Sequence, residues 1–472
     1  MNMIQEKSVD FKGLEQEIYK KCCEFGREML KNMLESYDCE LSSSRDKAVY
    51  RHKGGRKTVI KTIMGEVEYS RTVYETSSDD GVKCFVYLLD EAMGIAGRGF
   101  FSGLLSEIIV KASCESPYRE AARSVSELTG QTISHTAAWN VVQNLGERVD
   151  EREQVLSTLA AKNQGRGEIE TKVLFEEMDG IWINLQGKDR KKTVSGGREM
   201  KLAIAYDGWV KTGKNRFQLT NKVACASFES IGKFRKRKEG VIAAAYAIDE
   251  VDVRILNGDG ANWIKKSDFD TIYQLDPFHR NRAILHSAPD ENSRDEMLKL
   301  LHSRQIDELL TYIDALANSV DDEEREVKLR ELHTYFSNNS EGLVAYNQRG
   351  FELPKPPDGK EYRRLGTMES NVFTIIGNRM KGRRACWSIA GGNNLARLLC
   401  LKHTRKLYET VSSFSSQMPE KYAEEVITLS STKMLMQVGK GWNGFQSAMI
   451  PNSQKWLKDL VSVKSFSELA LN

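Results

Sequence analysis

Asp179 sits inside a run of apolar residues, with Val173-Leu-Phe-Glu-Glu-Met178 before it, Gly180 beside it and Ile181-Trp-Ile-Asn-Leu185 after it. A carboxylate in such a strand is costly to bury unless it is paired or binds a cation. Asp259 follows a second apolar run, Val251-Asp-Val-Arg-Ile-Leu256, in Gly258-Asp259-Gly260. Glycine beside a carboxylate lets a metal or a phosphate approach the backbone closely. Two aspartates at strand positions of one sheet can converge on a hard cation such as Mg²⁺, which takes oxygen ligands and keeps waters or substrate phosphates as the rest. Glu369 lies in Gly366-Thr-Met-Glu369-Ser-Asn371, ahead of Arg379, Lys381, Arg383 and Arg384. That suits a helix carrying both a metal ligand and phosphate contacts. Plainer readings exist. Asp-Gly pairs favour turns, as Asp207-Gly208 does between two strands, and a first-turn glutamate is favoured by the helix dipole alone. Asp179 resists the turn reading because apolar strand continues on both sides, while Asp259 stands between the two.

Two neighbouring features bear on the same chemistry. Asp276-Pro277-Phe278-His279 follows the apolar run Thr271–Leu275, and its aspartate and histidine read either as a cap and a packed ring or as two metal ligands. Trp263, four residues beyond Asp259, shares its face if helical; it stacks on nucleic acid or, more commonly for such a residue, packs in the core. Cys22, Cys23, Cys39, Cys84, Cys114, Cys225, Cys386 and Cys400 form no C-x-x-C pair. Buried reduced thiols are therefore expected rather than a zinc finger or a disulfide framework.

The elements that must position these residues follow from periodicity. Residues 9–37 read as one amphipathic helix, followed by strands at Thr58–Met64 and Val67–Tyr74 around Gly65-Glu66. Segment 117–148 reads as a helix-turn-helix or an ordinary helical hairpin, with Pro117 opening one helix, Gly130 ending it and Ser134 capping the next. From about 170, strands through Asp179, at Lys201–Tyr206, within Phe217–Ala226, at Val251–Leu256 and at Thr271–Leu275, with a helix across 238–248, argue for a mixed α/β sheet. Residues 280–350 become helical, and a helix begins near Met368. The chain of 472 residues suggests about three domains. With 40% apolar and 29% charged residues its composition is that of a globular protein, with no transmembrane run and no secretory signal, and a cytoplasmic location is expected. Net charge is only +3, but cations cluster at Lys233–Lys238, Lys188–Lys192 and Arg379–Arg384. Such stripes can track a phosphate backbone even on a near-neutral chain.

Four segments occur in order: Met178-Asp-Gly-Ile-Trp182, Leu256-Asn-Gly-Asp-Gly-Ala-Asn-Trp-Ile264, Leu275-Asp-Pro-Phe-His-Arg280 and Gly366-Thr-Met-Glu-Ser-Asn371. Together they resemble the ISLre-type bacterial insertion-sequence transposases, relatives of the Mutator-like DDE superfamily. The resemblance implies an RNase-H-like catalytic core with a triad of Asp179, Asp259 and Glu369 holding two divalent ions, Mg²⁺ or Mn²⁺. Asp276 and His279 match the superfamily's Cys/Asp-x-x-His signature. The implied layout is an N-terminal region over 1–110, a helix-turn-helix-like DNA-binding segment over 111–168, the first part of the core over 169–285, an all-α insertion over 286–365, and the rest of the core with a C-terminal helical region over 366–472. The implied activity is DNA cleavage and strand transfer at terminal inverted repeats and target DNA, by a homo-oligomer assembled on DNA, with no membrane role. Expected DNA contacts are Arg119, Arg123, Ser134, His135, Arg235, Lys236, Arg237, Arg379, Lys381, Arg383 and Arg384. The competing readings are a domesticated, catalytically inactive DNA-binding protein and an RNase-H-like nuclease without strand transfer.

Overall fold

In the computed structural model, residues 10–77, 81–94, 101–265 and 271–413 are described. The chain divides into two compact units at Ser102/Gly103.

In the first unit, α1 (Phe11–Ser44) packs on a three-stranded antiparallel sheet of β1 (Arg51–Thr62), β2 (Gly65–Ser77) and β3 (Lys83–Val86), with the short α2 (Leu88–Ala92) beside it. Asp10 caps α1 by accepting from the Gly13 N–H. Leu34, Tyr37, Ile60, Val67, Tyr69 and Leu89 form the core. Buried Asp38 accepts the Thr72 backbone N–H and hydroxyl at 2.9 and 2.6 Å, joining helix to sheet. The helix outruns its expected end at residue 37, and the hairpin turns at Ile63-Met64, two residues earlier than Gly65-Glu66.

The second unit begins with α3 (Gly103–Glu115), α4 (Tyr118–Thr129) and α5 (His135–Ala161). As expected, Gly130 ends α4 with φ 67° and Ser134 caps α5. However, α5 runs 27 residues rather than ending near 147, because its apolar positions continue through Val149. It packs against helices of the same unit, so the 111–168 segment is part of this unit rather than a separate module. Gly146 allows this: a Cβ there would stand 2.7 Å from the Asn394 Cα.

A five-stranded sheet follows, in the order β10-β9-β4-β5-β8. Strand β4 (Val173–Asn184) is a single strand through Asp179 and Gly180. The short α6 (Gly187–Lys191) leads to β5 (Gly197–Tyr206), the hairpin β6 (Trp209–Gly213) and β7 (Arg216–Leu219), and β8 (Val223–Ser227). Strands β4, β5 and β8 are antiparallel neighbours. After α7 (Ile231–Ala243), β9 (Val253–Gly258) runs parallel to β4; after α8 (Asn262–Lys265), β10 (Ile272–Leu275) runs parallel to β9. Helix α7 starts seven residues before the expected 238, because Phe234 is fully buried and draws the basic run into a helix. Asp207 is more than a turn residue. Fully buried, it accepts from Thr220, Asn221 and Lys360 at 2.5, 2.7 and 2.6 Å.

The expected insertion is helical: α9 (Pro277–Ser287), α10 (Glu291–His302), α11 (Ile306–Ser319), α12 (Glu323–Ser337) and α13 (Ser340–Leu343). It has its own core of Ile284, Met297, Leu309, Ile313, Leu329 and Phe336. The acidic run at 321–324 is exposed, with Asp322 capping α12. Then α14 (Met368–Asn371) continues through a π-helical turn (Val372–Gly377) into α15 (Asn378–Met380), followed by α16 (Ile389–His403) and α17 (Leu407–Ser413). The expected C-terminal region beyond residue 413 lies outside the described residues. No described helix is long and apolar enough to cross a membrane.

Candidate metal centre

Sheet register brings the first two carboxylates together. Met178 pairs with Gly258 on parallel strands β4 and β9, so the next residues, Asp179 and Asp259, emerge side by side at the same end of the sheet. The turn after β9 needs its glycines. A Cβ on Gly258 would stand 2.6 Å from Ile264, and Gly260 has φ +91° with Asn339 2.9 Å from where its Cβ would lie. The Asp259 side chain accepts the Ala261 N–H at 2.9 Å, and its carbonyl accepts the Tyr335 hydroxyl of α12 at 2.6 Å. The insertion thus braces the Asp259 turn.

The Asp-x-x-His segment divides its work. Asp276 caps α9, accepting the N–H groups of Phe278 and His279 at 2.9 and 3.2 Å, with Pro277 in the first turn. That cap fixes the first turn of α9 and delivers His279, whose Nε2 lies 3.5 Å from the Asp179 carboxylate. Glu369, exposed on α14, completes the group: one donor atom from each of Asp179, His279 and Glu369 lies within 4.8 Å of the others. Asp259 adjoins this cluster rather than belonging to it.

A connected buried network holds these elements in place, and sequence reasoning missed it. Glu177, two residues before Asp179 and fully buried, accepts the Gly366 and Thr367 N–H groups at 3.1 and 3.0 Å, the Thr367 hydroxyl at 2.5 Å and the Tyr206 hydroxyl at 2.7 Å. Asn257 donates to Glu177 at 2.9 Å and to Asp276 at 2.7 Å. One chain of bonds therefore links β4, β9, the start of α9 and the start of α14. A polar residue in each of two apolar strands was the available signal.

The electrostatics are those of an acidic site. Burial, with the Asp179 charge adding to it, pushes the Asp259 carboxyl above its ordinary range. The Asp179 carboxylate holds the His279 imidazole above its usual value, against the effect of burial. No described Lys or Arg pairs with Asp179, Asp259 or Glu369; the His279 imidazole, charged only when protonated, stands 3.5 Å from Asp179. Carboxylate oxygens at this spacing fit a hard divalent cation, and an imidazole nitrogen is also acceptable to Mn²⁺.

The other expected site residues scatter. Trp263 is buried against Phe234, beneath the sheet, and is a core residue rather than a stacking surface. Arg237 turns inward to Glu153 and Glu229, both at 2.8 Å, so it is withdrawn from the expected phosphate contacts. Ser134 is occupied as the cap of α5. Arg235 donates to the Trp263 carbonyl at 2.8 Å, and Arg123 pairs with Glu120 on an exposed face. Arg119, His135, Lys236, Lys381, Arg383 and Arg384 are exposed, whereas Arg379 is buried.

Residues 4–413 match the uncharacterised protein family UPF0236. The chain belongs to that family. A UPF0236 protein in the vanSb 3′ region of Streptococcus gallolyticus is 24% identical over 457 residues, covering 95% of this chain and 94% of the relative. A UPF0236 protein of Caldanaerobacter subterraneus subsp. tengcongensis is 24% identical over 342 residues, covering 68% of this chain and 65% of the relative; its name joins four locus designations. Another from that organism, 22% identical over 333 residues and covering 68% and 65%, has a name joining eleven.

Proposed function

We propose that this UPF0236 chain is a metal-dependent DNA transposase of the ISLre type, within the Mutator-like DDE superfamily, cleaving insertion-sequence ends and joining them to target DNA. The observation that carries this reading is that Asp179, His279 and Glu369 come within reach of one ion, with Asp259 beside them by sheet register and no described Lys or Arg paired with the three carboxylates. The strand order supports it further: three antiparallel strands, then two parallel ones added on the β4 side, is the order of an RNase-H-like sheet. A helical insertion stands between the second aspartate and the glutamate, as the resemblance implies. Relatives whose names join several locus designations fit a gene present in many copies, as a mobile element would be.

Asp179, Asp259 and Glu369 would hold the divalent ions, with His279 as a further ligand or as a hydrogen-bond partner fixing Asp179. When bound, such ions polarise a phosphodiester and favour ionisation of the attacking water or hydroxyl. Asp276, Asn257 and Glu177 keep the ligand-bearing elements in register, a role of orientation rather than chemistry. Tyr335 holds the Asp259 turn. Exposed Lys236, Lys381, Arg383 and Arg384 would neutralise DNA phosphates, making binding strongly salt-dependent.

The test uses purified protein, Mg²⁺ or Mn²⁺ and a labelled duplex carrying the element's end, resolved on a denaturing gel. Cleavage followed by joining to a target duplex is expected. Cleavage without joining would reduce the reading to a nuclease, and binding without cleavage would reduce it to a DNA-binding protein.

A further inference from the structure

A cleft of about 450 Å³ opens elsewhere in the second unit, lined among others by Glu115, Tyr118, Trp139, Arg379, Arg383 and Trp387. Its lining sets a buried cation among aromatic rings. Arg379 is nine-tenths buried, and its guanidinium lies against the edge-to-face pair of Tyr118 and Trp387, 5.4 and 5.1 Å from their ring centroids. Its Nε donates to the Ser113 carbonyl at 2.7 Å, but its Nη2 has no partner, and no described carboxylate pairs with it. The Tyr118 hydroxyl is also unpartnered. A buried cation without a counter-ion is costly, and a bound anion relieves that cost. Glu115, the acid on the rim, is paired with Lys402 at 2.6 Å.

The backbone and the flanks point the same way. Arg383 and Arg384 are both exposed and both in the left-handed region, with φ 57° and 55°. The pair turns the chain at the edge of the cleft, where the Ala385 N–H donates back to the Gly382 carbonyl at 3.1 Å. Asp189 accepts the Ile389 N–H at 2.8 Å, which sets the basic α6, with Lys188, Arg190 and Lys191, beside the cleft. Two of the three cationic clusters in the sequence therefore border it. Trp139, on the first turns of α5, is 44% exposed and offers an indole face.

We propose that this cleft is a second nucleic-acid subsite that holds one nucleotide unit of a DNA strand, its phosphate at Arg383 above the buried Arg379 and its unstacked base on Trp139. The inference rests on the reading of the chain as a DNA-acting protein, and names where the strand is gripped away from the metal centre. Aromatic stacking tolerates any base, so this contact holds the strand without reading its sequence.

The experiment measures binding of full-length protein to a fluorescein-labelled single strand by polarisation, with Trp139→Ala and Arg383→Ala, both at exposed positions. Each variant should weaken binding by about tenfold, and Arg383→Ala should lower the salt-dependence slope by about one. Mn²⁺ binding measured by calorimetry should be unchanged in both. Cys386 also lines the cleft, so the strand should protect it from alkylation in wild type and not in the variants. Wild-type affinity in both variants, with Cys386 alkylated equally with and without DNA, would overturn the subsite while leaving the metal-centre reading intact. Equal protection by inorganic phosphate alone would assign the cleft to a free anion and overturn the strand subsite. Absence of DNA binding in the wild-type protein would overturn both.

Discussion

Strand β4 presents acids on both faces, and the two faces treat them differently. On one, Glu176 is fully buried between Arg254, at 2.6 Å, and Lys238. Burial disfavours its charge, but those cations outweigh burial and hold its pKa down to about 2. On the other face, Asp179 lies with Glu369 and His279, and Asp259 stands beside them, with no described Lys or Arg paired with these three carboxylates. Glu177, one residue from Glu176, faces the second side and accepts only neutral donors, and burial pushes its carboxyl above the ordinary range. Glu176 and Glu177 thus hold the fold together by charge pairing and by neutral donors respectively, while the acids of the site are left available to a cation.

The largest expected effect breaks the contrast at the site. Asp179→Asn and Glu369→Gln should each lower cleavage by about a thousandfold or more, since ligand loss removes several kcal/mol of transition-state stabilisation. Thermal stability in metal-free buffer should hold or rise in Glu369→Gln, which relieves repulsion between carboxylates, whereas Asp179→Asn also gives up the His279 pair. The gel assay and a melting curve, taken together, check this.

The mirror experiment is Glu176→Gln. Leaving Arg254 and Lys238 without their buried anion should destabilise the protein by about 3–5 kcal/mol, and activity should fall only as far as the folded population does. Its pH behaviour sharpens the point. A carboxyl held below its unfolded value contributes stability that is complete above the usual glutamate range and is lost as pH falls toward about 2. Acid unfolding should lose that dependence in the variant. Glu177 has the opposite sign: its raised pKa means its own contribution weakens as pH rises through its folded value.

A smaller effect concerns ligation itself. Mn²⁺ at a hundred times its dissociation constant should stabilise wild-type protein by about 2.7 kcal/mol, visible as an upward shift in melting temperature. Asp179→Asn should abolish the shift, and Glu176→Gln should retain it. The smallest is Tyr335→Phe, which removes one hydrogen bond to the Asp259 carbonyl and should cost about 1 kcal/mol of stability, with kcat falling more than that loss explains.

The same contrast shows what the sequence could reveal. The strand through Asp179 was legible because apolar residues flank it on both sides, and the insertion because its apolar positions recur at helical spacing. Asp276 and His279 were visible as a pair, but the division between cap and site-facing imidazole depends on where β10 ends relative to β4. Glu177, Asn257 and Thr367 looked ordinary, because their bonds join residues up to 190 positions apart. Arg237 looked like part of a solvent-facing basic run; only the packing of α7 against α5, near Glu153, turns it inward. Trp263 misled in the opposite direction, since its spacing from Asp259 says nothing about which side of the sheet α8 covers.

Asp179 on β4, Asp259 after β9 and Glu369 on α14 are proposed to hold divalent ions. Anomalous diffraction at the manganese edge, from crystals soaked in Mn²⁺, tests it most directly. A peak is expected within bonding distance of Asp179 and Glu369 and beside Asp259, absent in Asp179→Asn. Density at full Mn²⁺ occupancy elsewhere on the protein, with none among these carboxylates, would contradict it.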